Sequence, residues 1–315
     1  MNNNNKLILD GYRIEKGHLT EEEKKIDNHS CRLFTGHTTA LAALQQKILK
    51  DLNTGGVSVC HIDEFKKPAM QENFERLRAY FIRFRDAPNT EEVIQQKRKS
   101  ITTWSTQKGF EINATHYLGR HLDLGDDVPE FFLDDELLTI AGHYLEGAPK
   151  AFHFNSWVHV TPPTTASRIN SMRWHRDPEA LRVFKIFVAA KEITPEQGPT
   201  QYIRGSHAKG KYSHLQEYRI TNRYPPDGYI EKHVDSDDIV SVVGPPGTIA
   251  FIDTYGFHRG GYLQIGERHQ AQGVFLKPNV LQLPKWQKQR IKLNIDHPSY
   301  HRLSPLAQYA ANEEF

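Results

Sequence analysis

Hydrophobic positions in the first half of the chain recur at helical spacing. Thr38 or Thr39 is the expected N-cap of the first predicted helix, and Gly55 and Gly56 follow its end. Up to about residue 150 we therefore expect a mostly helical segment. The pattern predicts helices over residues 38–52, 66–86 and 134–145, and a short apolar strand over 57–62.

From about residue 151 the pattern changes to short β-type runs separated by Pro/Gly turns. The breaks contain TPP, EQGP, PPDG and GPPG, which are strong turn formers. Many short strands at close spacing favour a jelly-roll core, so the expected fold class is mainly β with helical buttresses. The runs cover residues 151–160, 182–190, 200–204, 239–243, 248–253 and 270–276.

The chain shows no internal repeat, and its one low-complexity run is the asparagine tract at residues 2–5. We expect residues 1–35 to form an N-terminal extension and residues 36–315 to form a single functional unit, because the helices should cover the sheet. That unit divides into a mostly helical part (36–150), a β core (151–280) and a C-terminal tail (281–315).

Composition excludes several classes of protein. With 38% hydrophobic residues, a chain of 315 residues can bury a core, which excludes general disorder. No stretch approaches the roughly 18 apolar residues of a membrane span, and the N-terminus lacks an apolar signal segment, so we expect neither membrane association nor secretion. Two cysteines, Cys31 and Cys60, exclude a disulfide framework and are typical of a cytoplasmic protein. A formal charge of +2 is unlike the strongly basic balance of nucleic-acid-binding proteins.

Histidine is unusually frequent, with 17 in the chain, and it is the commonest metal ligand. His175 and Asp177 are two residues apart, so on a strand both side chains would project from one face. His258 follows a predicted strand in TIAFIDTYGFHRGGY. Two histidines and one carboxylate leave coordination positions open, which favours non-haem Fe(II).

An HxD pair in so histidine-rich a chain arises easily by chance, and a surface or salt-bridged pair is the alternative interpretation. Arg268 strengthens the metal hypothesis, because it lies ten residues after His258 on the next predicted strand. An arginine there can hold the distal carboxylate of 2-oxoglutarate with two parallel hydrogen bonds.

The order of these residues resembles the phytanoyl-CoA dioxygenase family of Fe(II)/2-oxoglutarate oxygenases. The segments WHRDPE and FIDTYGFHRGGY resemble the corresponding segments of that family. EQGPTQYIRGSH, at residues 196–207, is similar to the family's segment that ends in Gly-Ser-His. The resemblance covers roughly residues 150–280 and implies a double-stranded β-helix. It implies His175, Asp177 and His258 as the iron ligands and Arg268 as the 2-oxoglutarate anchor.

The implied enzyme is a dioxygenase that uses Fe(II), 2-oxoglutarate and O2, and that hydroxylates a small molecule with release of succinate and CO2. Related halogenases lack the carboxylate ligand, so Asp177 disfavours halogenation. One departure concerns the Ser or Thr that many 2-oxoglutarate enzymes place two residues after the arginine. Gln270 stands there in this chain, so another hydroxyl or amide must complete the site.

Lys185 lies inside the apolar run RVFKIFVAA, where an unpaired ammonium would be costly. The functional interpretation is that it binds a carboxylate of 2-oxoglutarate or of the substrate, and the alternative is a structural pair with an acidic side chain. From Arg168 to Lys211, basic residues outnumber acidic residues by nine to four. This excess predicts an anionic substrate, unless the charges form a solvated, salt-bridged face.

Two other classes of protein fit parts of the pattern. The first is a cupin-like metalloenzyme that does not use 2-oxoglutarate, for which Arg268 would matter little. The second is a non-catalytic binding protein on the same scaffold, which would not need three intact metal ligands.

Overall fold

The computed structural model describes residues 19–37, 40–100, 111–113, 127–161, 168, 170–177, 179–215, 224–278 and 296–312. Their core is two antiparallel sheets, one of six strands in the order β1-β7-β4-β9-β3-β2 and one of three strands in the order β6-β5-β8. The strands are β1 (Val57–His61), β2 (Glu111–Asn113), β3 (Lys150–Val160), β4 (Phe184–Ala189), β5 (Thr200–Ile203), β6 (Ile239–Ser241), β7 (Thr248–Asp253), β8 (His258–Gly260) and β9 (Glu267–Leu276).

Helices cover the outer face of the six-stranded sheet. Apolar side chains of the helices and of the sheet, such as Phe131 and Phe154, form one buried cluster. Among the described helices, none has both the length and the apolarity needed to cross a bilayer. The α-helices are α1 (Glu21–His37), α2 (Ala43–Gly55), α3 (Pro68–Asp86), α4 (Thr90–Ser100), α5 (Asp127–Phe132), α6 (Asp135–Leu145), α7 (Tyr229–His233) and α8 (Pro305–Ala311).

The start of the first predicted helix is wrong, and the helix runs three residues beyond the predicted end at Leu52, through Gly55, so that Gly56 alone follows it. Helix α2 begins at Ala43 with Ala42 as its N-cap residue, and the backbone N–H of Ala42 donates to Gln45 Oε1 over 3.0 Å. Thr38 and Thr39, the expected caps, lie outside the described residues. At the other end Gly56 adopts a φ of 79°, a conformation that favours glycine, and its N–H donates to Leu52 O.

The predicted β runs all contain strands, and β2 and β8 are additional strands of three residues each. Strand β3 has a period of two: its even-numbered residues 152–158 are buried, and residues 153, 155 and 157 are half-buried. Even-numbered side chains such as Phe154 pack against the helices. The odd-numbered side chains line a cavity between the two sheets.

Segments near both ends of the chain pack on the same core. In α1, Phe34 lies against α6 at Gly142, where an added Cβ would come within 2.2 Å of the Phe34 ring. At the other end, the buried Lys150 Nζ donates to Tyr309 O and Asn312 O over 2.7 and 3.1 Å, which satisfies carbonyls at the end of α8. These contacts tie α1 and α8 to the elements that surround the sheet.

Candidate metal centre

Three buried side chains meet between the two sheets. His175, Asp177 and His258 each present one ligand atom, and these atoms lie within 4.8 Å of one another. His258 Nε2 is 3.4 Å from Asp177 Oδ2, and His175 Nε2 is 4.0 Å from Asp177 Oδ1. The structure thus brings together the three residues that the sequence predicted as ligands.

Backbone hydrogen bonds hold the two ligand segments side by side. His175 and His258 exchange N–H···O bonds of 3.0 Å in an isolated antiparallel bridge, and Asp177 N donates to Thr254 O over 2.9 Å. His175 and Asp177 therefore do not lie on a regular strand, the case for which their spacing would place both side chains on one face. Their segment is a loop. Its backbone hydrogen bonds to His258 on β8, and not the alternation of side chains along a strand, direct both side chains into the cavity.

Both imidazole rings are oriented by their second nitrogen. His175 Nδ1 lies 2.8 Å from Arg173 O, and His258 Nδ1 lies 3.0 Å from Gly256 O. A carbonyl oxygen can only accept, so each Nδ1 carries a proton, and in the neutral form of each ring Nε2 then presents a lone pair. This is the arrangement that metal-binding histidines require.

Asp177 forms an ion pair with Lys185 at the centre of the cluster. Lys185 Nζ is 2.6 Å from Asp177 Oδ2, and both side chains are buried. Burial alone would raise the pKa of Asp177, but the charges of Lys185, His258 and His175 outweigh it and hold that pKa well below its usual range. The carboxylate is therefore ionised at neutral pH, as a metal ligand must be.

Arg268 lies on β9 and lines the same cavity. It is buried, with 2% of its surface exposed. A Cβ added to Gly260 on β8 would come 3.6 Å from Arg268 Nη2, an ordinary van der Waals distance, so this strand lies close beside the guanidinium. Two residues along β9, Gln270 Nε2 donates to Thr200 Oγ1 on β5 over 3.4 Å. A hydroxyl on a different strand therefore lies in the same part of the cavity wall as Arg268.

Arg176, between the two ligands of the HxD motif, is a residue that the sequence did not single out. Its side chain is among the largest fully buried ones. Nη1 donates to Ser206 O and Tyr255 O over 2.5 and 2.7 Å, and the guanidinium stacks 4.2 Å from the Phe257 ring centre. It thereby joins the HxD loop to the turn that leads into His258.

The cavity has a volume of about 320 Å³ and is largely polar. One wall is built from the odd-numbered side chains of β3 and their cross-strand neighbours on β9. Near the mouth, Arg259 stacks 4.2 Å from the Trp174 ring centre and donates from Nε to Gln201 Oε1. The wall side chains are His153, Asn155, Trp157, His159, Gln270 and Gln272.

Two antiparallel sheets form a double-stranded β-helix, and the buried His–Asp–His cluster between them could hold one metal ion, with an arginine on the same cavity. The family model for phytanoyl-CoA dioxygenase (PhyH) matches residues 59–262, so the chain belongs to this family. Membership confirms the predicted fold and enzyme class, a non-haem Fe(II)- and 2-oxoglutarate-dependent dioxygenase, and its cofactors. A comparison with curated proteins gives no match.

The chain is similar to several solved structures. The α-ketoglutarate-dependent epimerase SnoN from nogalamycin biosynthesis is 14% identical, with 75% of this chain and 83% of that chain covered and a TM-score of 0.45. EctD from S. alaskensis with 2-oxoglutarate and 5-hydroxyectoine is 17% identical, with 76% and 77% covered and a TM-score of 0.44. AviO1 from Streptomyces viridochromogenes Tue57 is 14% identical, with 76% and 97% covered and a TM-score of 0.41.

Proposed function

We propose that this protein hydroxylates a small-molecule substrate in the cavity between its two sheets, with residues 36–315 acting as one catalytic unit in the cytoplasm. His175, Asp177 and His258 would hold Fe(II). The observation that carries the proposal is the buried cluster of two Nε2 atoms and one ionised carboxylate, a donor set that suits Fe(II) and leaves coordination positions open. When bound, iron and 2-oxoglutarate supply the oxidation of the substrate by O2, with release of succinate and CO2.

Arg268 would bind the distal carboxylate of 2-oxoglutarate, and Thr200 would supply the hydroxyl that Gln270 does not. A hydroxyl group has one proton to donate and two lone pairs. Because the Gln270 amide donates to Thr200 Oγ1, the Thr200 proton remains for an acceptor such as a carboxylate. This pair would replace the Ser or Thr that many related enzymes place two residues after the arginine.

Lys185 would contribute to cofactor binding from the other side. Its ammonium has three N–H donors, and the contact with Asp177 Oδ2 uses one of them. A second can reach a carboxylate of 2-oxoglutarate, because Lys185 lines the cavity together with the three ligand residues. Lys185 would then fix both the ligand carboxylate and the cofactor.

The substrate would carry an anionic group at the mouth of the cavity. Arg173 stacks 4.8 Å from the Tyr224 ring, and Arg168 stacks 5.7 Å from the Tyr262 ring. With Arg259, these arginines have no carboxylate within 4.0 Å among the described residues. Burial and the charge of Arg168 lower the pKa of Arg259 to about 10, so an anion held there would relieve the repulsion between the two cations.

Calorimetric titration of 2-oxoglutarate into the anaerobic Fe(II)-loaded protein tests this proposal. Arg268→Ala should weaken binding by roughly 100-fold, because it leaves a carboxylate without its buried partner. Thr200→Ala should weaken it by about fivefold, the value of one neutral hydrogen bond. The exposed Arg32→Ala is the matched control and should bind as the wild type does. If Arg268→Ala bound 2-oxoglutarate normally, the alternative of a metalloenzyme that does not use this cofactor would be favoured.

Substrate-dependent succinate formation tests the reaction itself. A panel of anionic metabolites, each paired with an uncharged analogue, is added to the loaded enzyme in air. We expect at least one anion to stimulate succinate release and to gain one oxygen atom by mass spectrometry. A product of unchanged oxygen content would contradict hydroxylation while leaving the cofactor site intact.

A further inference from the structure

The inner wall of the cavity carries neutral amide side chains in addition to the residues assigned to iron and 2-oxoglutarate. Asn155 on β3 and Gln272 on β9 are directly paired across the two strands, so their side chains lie on the same face. Both line the cavity, and Trp157 and His153 flank Asn155 on the same face of β3. None of these four side chains is a carboxylate, an ammonium or a guanidinium.

The two amides are poorly satisfied by the protein itself. Gln272 is buried, with 4% of its surface exposed, yet among the described residues its side chain makes one hydrogen bond, a long one of 3.5 Å between Nε2 and His153 Nε2. Within the described part of the chain, the side chain of Asn155 makes no hydrogen bond. Buried polar groups normally have partners, from protein, water or ligand. These amides therefore face the cavity with most of their hydrogen-bonding capacity unused.

The chemistry of an amide pair limits what can occupy this wall. Each amide both donates and accepts, so an alkyl chain would leave four polar atoms, two oxygens and two nitrogens, without a new partner, which is costly. A carboxylate can only accept, so it would pair with the two NH2 groups and leave both carbonyl oxygens without a donor. A hydroxyl group both donates and accepts and therefore fits each amide. Beside the pair, the half-buried Trp157 offers an apolar aromatic surface on which the C–H face of a saturated ring can pack.

We propose that Asn155, Gln272 and Trp157 recognise a ring that carries neighbouring hydroxyl groups, such as a sugar or a cyclitol, as part of the substrate. Strands β3 and β9 are adjacent, so the two amides would hydrogen-bond to hydroxyl groups at neighbouring positions of one ring. The inference rests on the proposed function, since it names the substrate class for that cavity. It is compatible with an anionic group on the same molecule, which would lie at the mouth beside Arg259.

Binding of defined probes by calorimetry tests this inference in the full-length protein, both metal-free and loaded with Fe(II) and 2-oxoglutarate under anaerobic conditions. The probes are methyl glucoside, myo-inositol, cyclohexanol and uracil. We expect at least one of the two hydroxylated rings to bind more tightly than cyclohexanol and uracil. Asn155→Leu and Gln272→Met should each weaken that binding by about fivefold, the loss expected for one or two neutral hydrogen bonds.

Gln264→Met provides the matched control, because Gln264 is an exposed glutamine in the turn before β9. This variant should bind the probes as the wild type does, and all variants should keep the wild-type melting temperature. The inference is overturned if neither hydroxylated ring binds, if uracil or cyclohexanol binds better, or if Asn155→Leu and Gln272→Met bind the rings normally. If the inference fails in one of these ways but the protein still binds Fe(II) and 2-oxoglutarate, the proposed function stands. If the protein binds the hydroxylated rings as expected but does not bind the cofactors, the result counts against the proposed function only.

Discussion

At the residue scale, the metal site depends on groups that hold the ligands as well as on the ligands. The HxD spacing and His258 could be predicted from the sequence, because a metal demands particular residue types in a particular order. Arg176 could not, because a loop residue between two ligands gives no sign of where its side chain points. Only the structure shows that its guanidinium bonds to the carbonyls of Ser206 and Tyr255.

Replacing Arg176 should therefore weaken metal binding although Arg176 does not touch the metal. Arg176→Lys keeps the charge but loses the planar fork that reaches several carbonyls at once. We expect its dissociation constant for Fe(II) to rise by roughly 10-fold to 100-fold, as for other groups that orient metal ligands. Competition with a fluorescent chelator under anaerobic conditions measures it.

Arg32→Lys is the control for that measurement, because Arg32 is exposed on α1. Wild-type metal affinity in a folded Arg176→Lys variant would show that the loop keeps its geometry without the guanidinium. Arg176→Met removes every N–H donor from the carbonyls of Ser206 and Tyr255. It should therefore lower the melting temperature more than Arg176→Lys does.

At the scale of single elements, the carboxylate that caps the N-terminus of helix α6 is buried, and its burial disfavours the ionised form. Asp134 is its N-cap, and Oδ1 accepts from Glu136 N over 2.9 Å. Burial, which outweighs that hydrogen bond, raises the pKa of Asp134 to about 6. Its folded-state pKa lies above the unfolded value, so protonation stabilises the fold, and this stabilisation is lost as pH rises through about 6.

Asp134→Asn keeps a capping side chain and removes the charge. We expect this variant to be more stable than the wild type above pH 6, by roughly 2 to 3 kcal/mol. The difference should shrink as pH falls toward the unfolded pKa. Urea unfolding at pH 5 and pH 7.5 measures both values, and an equal difference at the two pH values would contradict the assignment.

The elements differ in how well their sequences predict them. Strand β7 has the bounds that its apolar run predicts, since all six of its residues are buried. The sequence of β3 predicts a strand. It does not show whether the half-buried face of that strand lines a cavity or packs against a second layer. Strands β2 and β8 were missed because three residues carry no period. The place of β8 is fixed by pairing of its His258 with Tyr202 on β5.

At the scale of the whole molecule, α1 packs on the helices that cover the sheet. The charged sequence of α1 gives little sign of this, because the helix contributes few large apolar residues. Phe34 is one of them, with 7% of its surface exposed and its ring 4.9 Å from that of His143. Its partner site, the small Gly142, is visible only in three dimensions.

Phe34→Ala tests whether α1 belongs to the cooperative unit. Truncating a buried phenylalanine costs about 3 to 5 kcal/mol, and the loss should lower the melting temperature of one common transition. Leu33→Ala, at a half-buried neighbouring position, should cost less. If Phe34→Ala left the main transition unchanged, α1 would be energetically separate from the core.

We expect one site for Fe(II) and 2-oxoglutarate, formed by His175, Asp177, His258 and Arg268. The most direct measurement is the visible absorption of metal-free protein under anaerobic conditions, on addition of Fe(II) and then of 2-oxoglutarate. We predict a charge-transfer band that requires both additions, is absent in His175→Ala and is weakened in Arg268→Ala. Folded protein that binds no iron, or that binds iron and 2-oxoglutarate without this band, would contradict the account.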